Sequence, residues 1–133
     1  MLGLVDATQA IADLTEISPQ VRTVAVLAAD GSVVGSNLPD DTAAERLAGG
    51  ARRLIETAER LRPGVAQLEA ATVSGSVFVV REGERLIAAT TTPEPTVGLV
   101  FYDLKTCLRA VDEPKPPAKR KAAPKQEADD ASA

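Results

Sequence analysis

The apolar positions of this chain change period several times, and each change marks an element. Leu4, Ala7, Ile11, Leu14 and Ile17 recur at spacings of three and four until Ser18-Pro19 breaks the pattern. This predicts a short amphipathic helix with Asp6 and Gln9 as a capping pair. Val21 to Ala29 (VRTVAVLAA) is β-branched and apolar at alternating positions of both parities; Asp30-Gly31 then turns the chain and Ser32 to Asn37 returns. The pattern is that of a hairpin whose first strand is buried on both faces, so other elements must cover each side of the sheet. Helical spacing resumes after Asp40-Asp41-Thr42, with Thr42 and Glu45 in capping-box register, and runs to about Leu61, where Pro63-Gly64 stops it. Strands are predicted over Val65 to Val73, Ser76 to Arg81 and Arg85 to Thr91, linked by turns at Ser74-Gly75 and Glu82-Gly83-Glu84. Links this short force an antiparallel meander. After Pro93-Glu94-Pro95, the positions Val97, Val100, Phe101, Leu104, Cys107, Leu108 and Val111 form a third helical stripe.

The second helix carries more apolar surface than one core requires. At about 100° per residue its Ala, Leu and Ile positions sweep roughly 160°, where a helix lying on a single core shows a stripe of about 100°. The surplus, expected on the side of Ala44, Ala48 and Ile55, needs a second neighbour: either the first helix or another copy of the chain. On the polar face, Arg46, Arg53 and Arg60 recur every seven residues and form a row. Such a row is either a solvated face or a set of planar donors for a carboxylate-rich partner. The strand from Val65 places Gln67, Glu69 and Ala71 on the same face as Val65 and Val73. A half-polar strand of this length suits a sheet edge, and an open edge pairs readily with another chain. Ala44, Ala48, Ile55, Val65, Gln67, Glu69 and Ala71 are therefore the expected dimer contacts, and Arg46, Arg53 and Arg60 the expected partner contacts.

Composition narrows the chemistry. The 133 residues include no His, no Trp, one Cys and three aromatics, with a net charge of -4. Without His there is no Ser-His or Cys-His pair and no His-ligated zinc, and a single Cys excludes an intrachain disulfide. Three aromatics make a poor stacking platform for single-stranded nucleic acid. The sequence has no P-loop and no G-x-G-x-x-G, and Cys107 falls at core spacing, where an inert thiol is expected. We therefore expect no enzyme activity and no cofactor. The charge is uneven: residues 1–112 carry ten basic and fifteen acidic groups, whereas residues 113–133 (EPKPPAKRKAAPKQEADDASA) carry five basic and four acidic ones. The latter segment has no Val, Ile, Leu, Phe or Tyr to offset backbone ordering, so residues 113–133 are read as a disordered Lys/Pro/Ala-rich tail after a domain at 1–112. No apolar run is long enough to span a membrane, and the first residues lack a signal-peptide pattern, so a cytoplasmic location is expected.

The order of elements resembles the roadblock (dynein light chain) family. VRTVAVLAADGSVVGSN is similar to that family's first hairpin, and AAERLAGGARRLIETAERL to its second helix. VSGSVFVVREGERLIAATTTPEPTVGLVFYDLKTCLRAV is similar to its closing strands and helix, with Gly98 at the family's usual Gly; together these cover about Thr15 to Val111. The resemblance implies an α+β, profilin/longin-like fold in the order α-β-β-α-β-β-β-α, a five-stranded antiparallel sheet with one helix on one face and two on the other. It further implies a homodimer joined by third strands and second helices, and a small Ras-like GTPase as partner. Nine Arg to one Lys and 17 Ala within residues 1–112 match a G+C-rich bacterial coding bias, which favours the bacterial, GTPase-associated type. Two functions are thus expected to compete: a non-enzymatic homodimeric regulator or effector of that GTPase, and a dimeric structural adaptor recruited through its tail. Neither requires specific nucleic acid or stable membrane insertion.

Overall fold

The computed structural model describes residues 5–111. The elements run α1 (Ala7–Ile17), β1 (Val21–Leu27), β2 (Val33–Ser36), α2 (Asp41–Leu61), β3 (Gln67–Thr72), β4 (Gly75–Glu82), β5 (Arg85–Thr91) and α3 (Val97–Ala110). The expected order is thus the observed one. Leu4 and the tail at residues 113–133 lie outside the described residues.

All strand pairs are antiparallel, and the sheet order is β2-β1-β5-β4-β3. The hairpin and the meander therefore meet through β1 and β5, which leaves β2 and β3 as the two edges of the sheet. Alternation along the central strands builds two cores. Val24, Val26, Phe78, Val80, Ile87 and Ala89 point to one face, where they meet Ile11 and Leu14 of α1 and Val100, Leu104 and Leu108 of α3. Ala25, Leu27, Val79, Leu86 and Ala88 point to the other face and meet Ala48, Ala51 and Ile55 of α2. Two helices thus cover one face and one helix the other. Small residues at 25 and 88 let α2 approach the sheet closely, while Phe78 on the opposite face stacks edge-on against Phe101 with ring centroids 4.9 Å apart.

The helix starts follow local chemistry. At α1 the Asp6 carboxylate accepts from the Gln9 N–H at 2.8 Å, as expected of an N-cap; the Gln9 side chain turns forward to Asp13 at 2.9 Å and does not complete the box. At α2 the expected Thr42–Glu45 box is not used. Asp40 is the N-cap, its Oδ1 accepting from the Ala43 N–H at 2.8 Å; Asp is a stronger cap than Thr, and it stands two positions earlier. Gly75 adopts φ +144, and a Cβ there would collide with the Thr91 carbonyl oxygen, so this tight approach of β4 to β5 requires Gly. No helix among the described residues is long and apolar enough to cross a membrane.

Candidate interaction surface

The faces of α2 sort cleanly once its sheet side is known. Ala44, Ala48, Ala51 and Ile55 are buried at 1–3 % exposure within their own chain. Ala44, Ala48 and Ile55 therefore occupy the core side and not the surplus flank on which they were expected. A helical arc read from sequence does not reveal which part of it the sheet takes, and the sheet has taken the Ala-rich side. The surplus is real but lies to one side. Leu47 is half-buried, Leu54 is 38 % exposed and Leu61 82 % exposed. These three Leu recur every seven residues, with Ala43, Gly50 and Thr57 interleaved at spacings of three and four, the period of a helix–helix seam. A Cβ built at Gly50 would meet nothing within its own chain, so internal packing does not account for a Gly in mid-helix. The first helix cannot be the neighbour of this seam, because it packs on the opposite face of the sheet.

The Leu flank faces the β3 side of the sheet. Leu47 joins the α2 core together with Leu68 of β3 and Val77 of β4, whereas the opposite flank of α2, with Glu45, Gly49 and Arg52, faces β2 across a cleft. β3 is an edge strand, paired only to β4. The Arg81 N–H donates to the Ala66 carbonyl at 2.8 Å, and the register pairs Leu68 with Val79 and Ala70 with Val77. In an antiparallel ladder the intervening residues direct their backbone groups outward, so Gln67, Glu69 and Ala71 present free N–H and C=O groups at the edge. Their side chains lie on the face away from α2, where Ser76 donates to Glu69 at 2.7 Å. Val65 is half-buried against the α2 core and starts the strand's approach without being part of it.

A polar clamp ties the last turns of α2 to β4 and to the link that leads into β3. Glu59 of α2 accepts from the Gly64 N–H at 2.8 Å and the Val65 N–H at 3.1 Å, and from Arg81 of β4 at 2.6 Å. Arg81 also donates to the Val65 carbonyl at 2.6 Å. These bonds, the one from Gly64 first, hold the Glu59 carboxyl below its ordinary value. Gly64 takes φ +91 in the link that Pro63-Gly64 marks in the sequence.

Arg46, Arg53 and Arg60 all lie exposed on the outward face of α2, as a row pointing away from the sheet. Arg60 reaches only Thr57 of its own helix, at 3.5 Å. The row and the Leu seam are adjacent sectors of one helix. Sequence reasoning placed the Leu residues in the apolar arc without recognising them as its exposed part; their seven-residue repeat was the available signal. Cys107 is buried, and burial together with the nearby Asp13 charge pushes its thiol up to about 12, so it remains protonated near neutral pH.

Two clefts lie against the flank of α2 that carries Arg52. One, of about 720 Å³, separates β2 from the first turns of α2. A second, of about 380 Å³, continues past Gly31 and Arg52 to Glu56 and Glu84.

No protein-family model matches the sequence, and no curated protein matches it. Solved structures do match it in three dimensions. A Roadblock/LC7 domain from Streptomyces avermitilis superposes with a TM-score of 0.68 at 18 % identity, covering 80 % of this chain and 94 % of that one. MglB from Myxococcus xanthus gives 0.61 at 14 % identity, with 78 % and 89 % covered. An MglB in a tetrameric arrangement gives 0.60 at 16 % identity, with 79 % and 84 % covered. With its α-β-β-α-β-β-β-α order and a sheet layered between one helix and two, the molecule has the Roadblock/LC7 domain fold.

Proposed function

We propose that this protein is a non-enzymatic, homodimeric member of the roadblock family, of the bacterial type, that binds a small Ras-like GTPase in the cytoplasm as a regulator or effector of its nucleotide cycle. The observation that carries this reading is the continuity of two unsatisfied surfaces: the exposed Leu seam of α2 lies on the side of the sheet where β3 leaves its edge unpaired. A twofold axis beside β3 satisfies both at once. Strand β3 pairs with its copy through the outward groups of Gln67, Glu69 and Ala71, and the two α2 helices meet along Leu47, Gly50, Leu54 and Leu61. Such an isologous contact is closed and self-limiting. The small residues at 43, 50 and 57 allow close helix approach, which gives Gly50 a reason that its own chain lacks. A solved MglB with a tetrameric arrangement has this fold, which supports an oligomeric reading here.

Pairing of α2 with its copy presents two rows of Arg46, Arg53 and Arg60 on one face. Guanidinium groups in a row suit a partner surface rich in carboxylates. The link to a GTPase rests on the roadblock resemblance. A regulator of this kind acts by ordering the GTPase's own switch loops; no Arg here is assigned as a finger into the phosphate site. The test is to mix the purified protein with a small Ras-like GTPase encoded beside its gene. A stable complex, or a change in GTP hydrolysis, supports the reading; no complex in either nucleotide state together with unchanged hydrolysis overturns it.

A further inference from the structure

The cleft between β2 and α2 plays no part in the proposed dimer, which uses the opposite edge of the sheet. Its floor is apolar, from Val33, Leu38, Ala44 and Ala48, and one wall is β2, the other unpaired edge of the sheet. Its rim carries Asp40, Asp41 and Glu45 against one cation, Arg52. The adjoining cleft adds Glu56 and Glu84. Among the described residues the ion pairs are Arg81–Glu59 and Arg109–Glu82, so all five of these carboxylates lack a cationic partner. An open strand edge beside an apolar floor and an acidic rim fits an extended, cationic, proline-containing segment that does not form a helix of its own.

We propose that this cleft is the docking site of the chain's own C-terminal segment, with Lys115 to Lys125 lying along it. The described chain ends at Val111, whose carbonyl accepts from Arg85 at 3.1 Å. Arg85 and Glu84 also line a third cleft, which shares Ala29, Gly83 and Glu84 with the second. The first and second clefts share Gly31 and Arg52, so the three lie end to end from Arg85, which holds the Val111 carbonyl, to the acidic rim. Lys115 stands four residues beyond Val111 and Lys125 fourteen, a reach of about 13 to 46 Å at roughly 3.3 Å per residue. Val111 belongs to the core on the α1 and α3 face, so the segment first rounds the end of the sheet, about 10 Å; from β5 to β2 is then two strand spacings, about 10 Å, and β2 adds four residues of about 3.3 Å each. The cations Lys115, Lys119, Arg120, Lys121 and Lys125 can therefore be distributed along the whole rim. Because the contact is intramolecular it operates at high effective concentration, and because it rests on exposed charges it is sensitive to salt. Docked there, the segment covers the Glu45–Arg52 flank of α2, next to the Arg row.

Carbodiimide coupling of the full-length protein tests this directly, since it joins lysine amines to carboxylates in contact. At about 10 mM salt, where charges act over about 30 Å, mass spectrometry should find Lys119 or Lys121 joined to Asp40, Asp41 or Glu45 within single chains. At about 1 M salt, with screening at about 3 Å, the yield should fall at least about tenfold. In a mixture of isotopically light and heavy protein, linked peptides should carry one isotope only. Linkages confined to Glu127, Asp129 and Asp130 of the segment itself, mixed-isotope linkages, or a yield indifferent to salt would each overturn the proposal. Loss of the α2 dimer leaves this result unchanged, so its failure is distinguishable from that of the functional reading.

Discussion

If α2 pairs with its copy as proposed, replacing Leu54 and Leu61 by Ser should weaken the dimer without unfolding the chain. Full burial of a Leu side chain stabilises by about 1.5–3 kcal/mol. With 38 % of Leu54 and 82 % of Leu61 still exposed in the single chain, complete burial at the proposed twofold interface would contribute roughly 2–3.5 kcal/mol per copy and 4–7 kcal/mol per dimer. At about 1.4 kcal/mol per tenfold, the double variant should weaken dimerisation by three to five orders of magnitude. The fold should survive, because most of the removed surface was already in water. Ile55→Ala is the counter-case: its side chain is 2 % exposed inside the chain, so it should cost about 2–5 kcal/mol of folding stability. Sedimentation equilibrium across a concentration series, with circular dichroism as the folding control, reads both quantities. A folded double variant that dimerises within tenfold of the parent would refute the assignment of the seam.

Gly50→Ala should act with opposite signs on the two processes: it adds about 1 kcal/mol to the stability of the single chain through helix propensity, measurable by urea denaturation, while raising the dimer dissociation constant. Gly75→Ala, at φ +144 with the Thr91 carbonyl in the way, should cost at least about 1–3 kcal/mol by the same assay. The folded pKa of Glu59 is depressed below its ordinary 4.5, so its contribution is complete above that value and is lost as pH falls through the folded value; denaturation of the parent and Glu59→Gln should differ at pH 7 and converge in acid. Cys107, buried with its thiol pushed up to about 12, should resist thiol reagents at pH 8 until the chain unfolds, so that labelling rate reports opening.

The sheet and its helices were legible because three periodicities and a set of Gly and Pro turns agree with one another along the chain. Capping was less so: Asp40, Asp41 and Thr42 all favour a helix start, and only the backbone geometry selects Asp40. β3 is shorter than the predicted Val65 to Val73, because the Glu59–Arg81 clamp engages Val65 before the ladder begins and Gly64 is already turned. That clamp joins residues 22 apart in sequence and left no local pattern. The candidate surface was half legible. Helical periodicity gave the width of the apolar arc and the position of the Arg row, but which sector the sheet would take depended on Ala25 and Ala88 receiving the Ala-rich side of α2. Consequently Ala44, Ala48 and Ile55 were expected outside and lie inside.

In the proposed function, a face of α2 carrying Arg53 binds a small GTPase. Calorimetric titration of that GTPase, loaded in turn with GDP and with a non-hydrolysable GTP analogue, into the parent protein and into Arg53→Glu tests it most directly. Binding should favour one nucleotide state and should weaken at least about tenfold, or about 1.4 kcal/mol, in Arg53→Glu, with the variant still dimeric. No binding in either state, or equal affinity of the parent and Arg53→Glu, would contradict it.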